Sequence, residues 1–141
     1  MQQPEWANQL IKDVLFLHNR TKAPRIKWIA SRGKWSSGVT YGTRSGKLLY
    51  YRVGGKIVRK RNPKPDILIR QSQTQQYRYV LLHELGHWLV KGKHHHDKVF
   101  WRKAWNLYFV FLTLGEIEEC KKSEFSYKNK AEQVYQELTE K

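Results

Sequence analysis

Cysteine is almost missing from this 141-residue sequence, which contains only Cys120. Disulfide scaffolds need paired cysteines and cysteine-ligated zinc fingers need several, so both classes of protein are excluded. Long hydrophobic runs are missing as well, because the longest, from Leu107 to Leu114, is far shorter than the roughly 20 residues that span a bilayer. The N-terminal segment MQQPEWANQLIKDV lacks the apolar core of a signal peptide, so we expect a cytoplasmic protein.

Acidic residues are scarce too, since 12 Asp and Glu stand against 27 Lys and Arg, for a formal net charge of +15. None occurs between Asp13 and Asp66, an interval that holds 14 basic residues. Clustered cations bind phosphates by releasing counterions, which predicts contact with DNA, either single-stranded or without sequence specificity. The alternative to DNA binding is that these basic residues form a solvent-exposed surface without a partner. The predicted nucleic-acid contacts are Arg32, Lys34, Arg44, Lys47, Arg52, Lys56, Arg59, Lys60 and Arg61.

The periodicity of apolar residues divides the chain into helical, β and again helical segments. Apolar residues recur at steps of three and four over residues 4–19, which predicts a helix. Alternating patterns over residues 25–70 predict four or five short strands, with a two-residue hairpin turn at Gly54–Gly55. From about residue 74 the period is helical again. This order predicts an α+β fold in one domain, 1–141, with a basic β region at 20–71, helices at 74–114 and a C-terminal helix at 128–140.

Residues 83–87 read His-Glu-Leu-Gly-His, in which the two histidines are four residues apart, about one turn of a helix. Positions i and i+4 lie on one helix face, so His83 and His87 can bind the same metal ion. Glu84 lies about 100° round the helix, where it can accept a proton from a water molecule that the metal activates. Six histidines and nine glutamates in 141 residues would produce this motif about 0.016 times by chance. The pattern therefore predicts a catalytic metal site, and the flanking VLL and WLV predict a buried helix.

A third ligand is needed to complete a catalytic zinc site. The histidines available at the junction of two predicted helices are His94, His95 and His96. Spacing alone does not select one of them. In another large class of enzymes with this motif the third ligand is a glutamate on a later helix, and the residues available are Glu116, Glu118 and Glu119. These glutamates follow a predicted helix that is capped by Asp97 and closed by Gly115, and we interpret them as its solvated end.

The segment HELGHWLVKGKHHHDKVFW resembles the active-site segment of SprT-like zinc metallopeptidases. In that family a third histidine opens the signature His-x-x-x-Phe at the start of the next helix, and His96 to Phe100 fit it. The resemblance thus implies His96 as the third metal ligand. A His-x-x-x-Phe-Trp ending is also similar to that of YgjP-like metal-dependent hydrolases. Two features depart from the family: Asp97 replaces the usual glycine, and one cysteine cannot build the C-terminal zinc ribbon of many members.

The resemblance covers most of residues 5–110 and implies a zincin-like arrangement. That arrangement has an N-terminal helix, a small and mostly antiparallel β meander, the helix with the HExxH motif and two further helices. The resemblance also implies one zinc ion per chain, held by His83, His87 and His96, with Glu84 as the catalytic base. The implied function is that of a zinc-dependent endopeptidase that cleaves DNA-bound proteins. Such a protein would act at the nucleoid or, if a phage encodes it, in the host cytoplasm. The alternatives are a YgjP-like hydrolase of a phosphorylated small molecule and a nucleic-acid-binding module with structural zinc.

Overall fold

A computed structural model describes residues 2–31, 37–41, 48–61, 65–72, 76–90, 96–126 and 130–140, with the backbone alone at 48–53 and 58–61. Within these residues the chain forms five helices and five strands, which confirms the predicted α+β class. The helices are α1 (Glu5–Leu17), α2 (Arg78–Val90), α3 (Lys98–Phe111), α4 (Leu114–Glu124) and α5 (Ala131–Thr139). The strands are β1 (Ile26–Ser31), β2 (Ser37–Thr40), β3 (Leu48–Val53), β4 (Lys56–Arg61) and β5 (Ile67–Ser72). No helix in this described part is long and apolar enough to cross a membrane.

A three-stranded mixed sheet has β5 at its centre. Strand β1 pairs with β5 in parallel, with Trp28 opposite Ile69, and β2 pairs antiparallel, with Gly38 opposite the same isoleucine. Strands β3 and β4 form a separate hairpin that turns at Gly54–Gly55, as predicted. The expectation of one meander is therefore wrong, because strands that follow one another along the chain are not neighbours in the sheet. Parallel neighbours need a long crossover connection, which local alternation of side chains does not encode.

Helix α2 lies at the centre of the packing, because it contacts β2 and β5 of the sheet as well as α3 and α4. Residues 80–86 are buried without a break. A helix that is buried all round belongs to the interior of a protein rather than to its surface. The prediction of a buried motif helix is thus confirmed, and the motif side chains project from an element that is packed on several sides.

The helices after α2 differ from the prediction in number. The side chain of Asp97 accepts a hydrogen bond from a backbone N–H in the first turn of α3 at 2.9 Å, so the predicted N-cap is confirmed. Helix α3 then ends before Thr113, which caps a separate helix, α4, by forming a capping box with Glu116. Three helices therefore follow α2 instead of two, and Gly115 lies in the first turn of α4 instead of closing a helix. The overlooked signal is the Thr-x-x-Glu sequence that is typical of a helix start. Helix α5 lies within the predicted range 128–140.

Candidate metal centre

Three histidine side chains converge beside α2. His83 and His87 lie one turn apart on this helix, and His96 lies just before α3. The Nε2 atom of His96 is 3.1 Å from Nε2 of His83 and 3.3 Å from Nε2 of His87. These are the three side chains that the resemblance implied as metal ligands, and in the described part of the chain they form a group that could hold one ion. The other candidates of the histidine triplet, His94 and His95, lie outside the described residues.

Aromatic side chains from the start of α3 hold the three imidazole rings in place. The ring of His87 stacks on Phe100 with 3.8 Å between centroids, and the ring of His96 stacks on Trp101 at 5.5 Å. Gly86 allows this close approach, since a Cβ atom there would lie 3.3 Å from the Phe100 ring. The Phe-Trp pair that follows His96 in the sequence therefore forms one wall of the histidine cluster.

The arrangement of the three nitrogens fits a metal ion. Two nitrogen ligands 2.0–2.1 Å from a tetrahedral ion lie about 3.3–3.4 Å apart, close to the separations of 3.1 and 3.3 Å found here. Nε2 of His96 carries either one hydrogen or one lone pair, so in hydrogen bonding that one group would serve both contacts, whereas a metal ion accepts a lone pair from every ring. Imidazole binds zinc, copper, iron and nickel, so the three histidines lie close enough together to bind one ion of this group.

Glu84 lies on the sheet side of α2, buried beneath strand β2. The residue is 5% exposed. The Thr40 hydroxyl lies 2.8 Å from Oε1 and 3.1 Å from the Glu84 carbonyl oxygen, positioned to donate to either. A Cβ atom on Gly38 would lie 2.6 Å from Cγ of Glu84, so only glycine leaves room for this carboxylate under the strand. Burial raises the pKa of Glu84, while His83 and the hydroxyl of Thr40 act in the opposite direction.

A second buried carboxylate, which the sequence analysis missed, lies behind His83. Oε2 of Glu124 in α4 is 2.7 Å from Nδ1 of His83, and the Tyr108 hydroxyl donates to the same oxygen at 2.8 Å. Burial disfavours the charged imidazole, but the charge and hydrogen bond of Glu124 outweigh it and raise the pKa of His83. Burial and the same carboxylate raise the pKa of Tyr108 well above its ordinary value, so the hydroxyl remains a donor. The sequence signal that could have revealed Glu124 was its spacing. It lies seven residues after Ile117 and four after Cys120, which places it on the same buried face of α4.

The glutamates considered as alternative ligands have other partners. Glu116 accepts two hydrogen bonds from Arg78, at 2.6 and 2.8 Å, and these lower the pKa of its carboxyl to about 2. Glu118 pairs with Lys121 at 3.3 Å, and Glu119 lies 4.0 Å from a lysine one turn on. The ligand set with a glutamate on a later helix is therefore not the one that the structure brings together.

The structure describes little of the predicted nucleic-acid surface. Lys56 is exposed beside the turn of the β3–β4 hairpin. The backbones of four more predicted contacts lie on the strands of this hairpin: Arg52, Arg59, Lys60 and Arg61. The remaining four lie outside the described residues: Arg32, Lys34, Arg44 and Lys47. Trp28, one of the aromatic residues interleaved with these cations, is buried in the core, so it is not available to stack on a base.

Comparison of the chain with protein-family models, curated proteins and solved structures finds no match. The site is therefore defined by its own geometry. It consists of three convergent histidines, a buried glutamate beside the first of them, and a second buried glutamate bonded to that same histidine.

Proposed function

We propose that this chain is a zinc-dependent endopeptidase of the SprT-like, zincin-like type that acts on DNA-associated proteins. The observation that carries the proposal is the convergence of His83, His87 and His96, with Glu84 buried next to His83 in helix α2. Among the described residues three histidine donors converge, which is the number that catalytic zinc sites use, whereas structural sites are closed by four protein ligands. This difference supports a catalytic centre over a structural one.

Each side chain of the site has a distinct task in this reaction. A zinc ion bound there would lower the pKa of a water ligand and polarise the substrate carbonyl. The three imidazoles would hold the ion through Nε2, since these atoms face one another. Glu84 would take up the proton that the attacking water loses and return it to the leaving amine. Thr40 would orient this carboxylate through its hydrogen bond to Oε1, which leaves Oε2 for the proton.

The position of β2 supports a peptide as the substrate. Strand β2 lies at the edge of the three-stranded sheet, with β5 as its neighbour, and it contacts the motif helix α2. An edge strand can bind an extended peptide through main-chain hydrogen bonds, as an added strand. Because Gly38 and Thr40 of β2 both contact Glu84, a peptide bound along this strand would lie next to the proposed base.

Cleavage of a DNA-bound protein tests the proposal. Zinc-loaded protein is incubated with a basic DNA-binding protein, with and without single-stranded DNA, beside the variant Glu84→Gln. We expect cleavage that DNA stimulates and that the variant lacks, while the variant still holds one zinc ion. Absence of cleavage by a zinc-loaded wild type would contradict the proposal, and it would favour a hydrolase of phosphorylated small molecules. Cleavage without any response to DNA would contradict the proposed substrate class alone.

A further inference from the structure

Glu124 forms a contact that its own helix does not require. Its side chain is 3% exposed and that of its partner His83 is 8% exposed, with 2.7 Å between Oε2 and Nδ1. Among the described residues the carboxylate also accepts from the Tyr108 hydroxyl, and it takes part in no ion pair with lysine or arginine. A buried carboxylate is costly unless its partners compensate for the lost water. An apolar side chain would cover this face of α4 without that cost, so the contact with His83 needs another explanation.

The direction of the hydrogen bond between His83 and Glu124 provides an explanation for this contact. An ionised carboxylate only accepts, so the hydrogen lies on Nδ1 of His83. In the neutral ring, the form that binds a metal, the lone pair then lies on Nε2, which is the atom that faces His96 at 3.1 Å. Histidines that bind a metal commonly donate their other N–H to a carboxylate, which fixes the orientation of the ring and makes it a better ligand.

We infer that Glu124 and Tyr108 are positioning residues of the metal centre, which hold the His83 ring with Nε2 directed at the ion. Tyr108 lies in α3 and Glu124 in α4, so three consecutive helices contribute to the centre. Helix α4 lies beyond residues 5–110, the part of the chain that the family resemblance covers. The inference rests on the metal centre proposed above, but it does not depend on the substrate or on peptidase activity.

Zinc affinity distinguishes this role from a purely structural one. The dissociation constant is measured by competition with a chromophoric chelator for the wild type, Glu124→Gln, Tyr108→Phe and Glu118→Gln. Glu118 is a matched control because it is a glutamate of the same helix whose side chain is 68% exposed. We expect Glu124→Gln to weaken zinc binding about 10- to 100-fold and Tyr108→Phe to weaken it less. Glu118→Gln should bind as the wild type does, which also tests the alternative ligand set.

Cobalt substitution gives a second readout, because its visible absorption reports the geometry of the ligands. We expect altered bands in Glu124→Gln and Tyr108→Phe and unchanged bands in Glu118→Gln, with the far-ultraviolet circular dichroism of the metal-free proteins verifying that each variant folds. Tyr108→Phe removes one hydroxyl only and serves as the test if Glu124→Gln does not fold. Wild-type affinity and an unaltered cobalt spectrum in folded variants would overturn the inference. A wild type that binds no zinc would overturn both the inference and the metal centre, whereas zinc binding without cleavage affects the peptidase proposal alone.

Discussion

Two buried glutamates lie at the motif helix α2, one on the helix itself and one packed against it from α4, and they are held differently. Glu84 lies on the sheet side, where one neutral hydroxyl, that of Thr40, binds its carboxylate. Glu124 lies on the helical side, where a histidine ring and a tyrosine hydroxyl converge on a single oxygen. In the roles proposed above, the same residue type therefore serves two purposes. One carboxylate would take up a proton, and the other would fix a metal ligand.

The largest expected effect separates these two purposes. Glu84→Gln should lower kcat/KM for a protein substrate by about 10²- to 10⁴-fold, the range for loss of a general base, with unchanged zinc affinity. Glu124→Gln should lose activity at limiting zinc and regain it as zinc is raised, because its catalytic base is intact. Activity is measured across a zinc titration for both variants. Recovery of Glu84→Gln at high zinc would contradict the assigned base.

Removal of the metal should destabilise the segment of His96 and the start of α3 more than it destabilises strand β2. A ligand present at 100 times its dissociation constant stabilises the folded state by about 2.7 kcal/mol, so a chelator should lower the unfolding free energy by that order. Hydrogen exchange should increase at His96 and the first turn of α3, because an ion held by the three histidines would link this segment to α2. Strand β2 should change little, since its contact with α2 runs through Glu84. An equal loss of hydrogen-exchange protection in both regions would contradict the prediction that the metal stabilises mainly the segment around His96.

A methyl group added at Gly38 should displace the proposed base, Glu84, without contacting the three histidines. In Gly38→Ala the new Cβ would lie 2.6 Å from Cγ of Glu84, so the carboxylate must move. We expect a loss of about 1–3 kcal/mol in unfolding free energy, as for other overpacked sites, together with reduced peptidase activity and unchanged zinc affinity. Urea unfolding and chelator competition measure these quantities. Gly115→Ala is the matched control, because a Cβ there meets nothing within 4 Å. Equal stability of Gly38→Ala and the wild type would show that the strand yields instead.

Much of the histidine cluster could be predicted because its signals are local. His83 and His87 follow from the i, i+4 spacing on one helix, and the resemblance to the SprT-like signature at the next helix start implied His96. The residues that orient these groups could not be found in this way. Thr40 lies 44 residues from Glu84 along the chain, and Glu124 lies 41 residues from His83. The parallel pairing of β1 with β5 has the same origin, since both contacts arise from tertiary packing and leave no short pattern in the sequence.

A third glutamate, Glu116, gives the smallest expected effect and a reference for the two buried ones. It lies at the start of α4 with its side chain 33% exposed, and it binds Arg78 at the start of α2. Arg78 lowers the pKa of its carboxyl to about 2, against about 4.3 in an unfolded chain. The unfolded state therefore binds the proton more readily. Stability from this pair is complete above about pH 5 and is lost as the pH falls toward 2.

Glu116→Gln removes this dependence on pH. At neutral pH we expect the metal-free variant to be less stable than the metal-free wild type by about 0.5–1 kcal/mol, the range for a partly exposed ion pair. The difference should shrink between pH 5 and pH 2, because the wild-type carboxyl becomes protonated over that interval. Urea midpoints across this range measure it, with Glu118→Gln as the exposed control. A difference that stays constant down to pH 2 would contradict the assignment of this stability to the ion pair with Arg78. The capping box is retained in the variant, because an amide oxygen can also accept the hydrogen bond from the Thr113 N–H, at 3.1 Å.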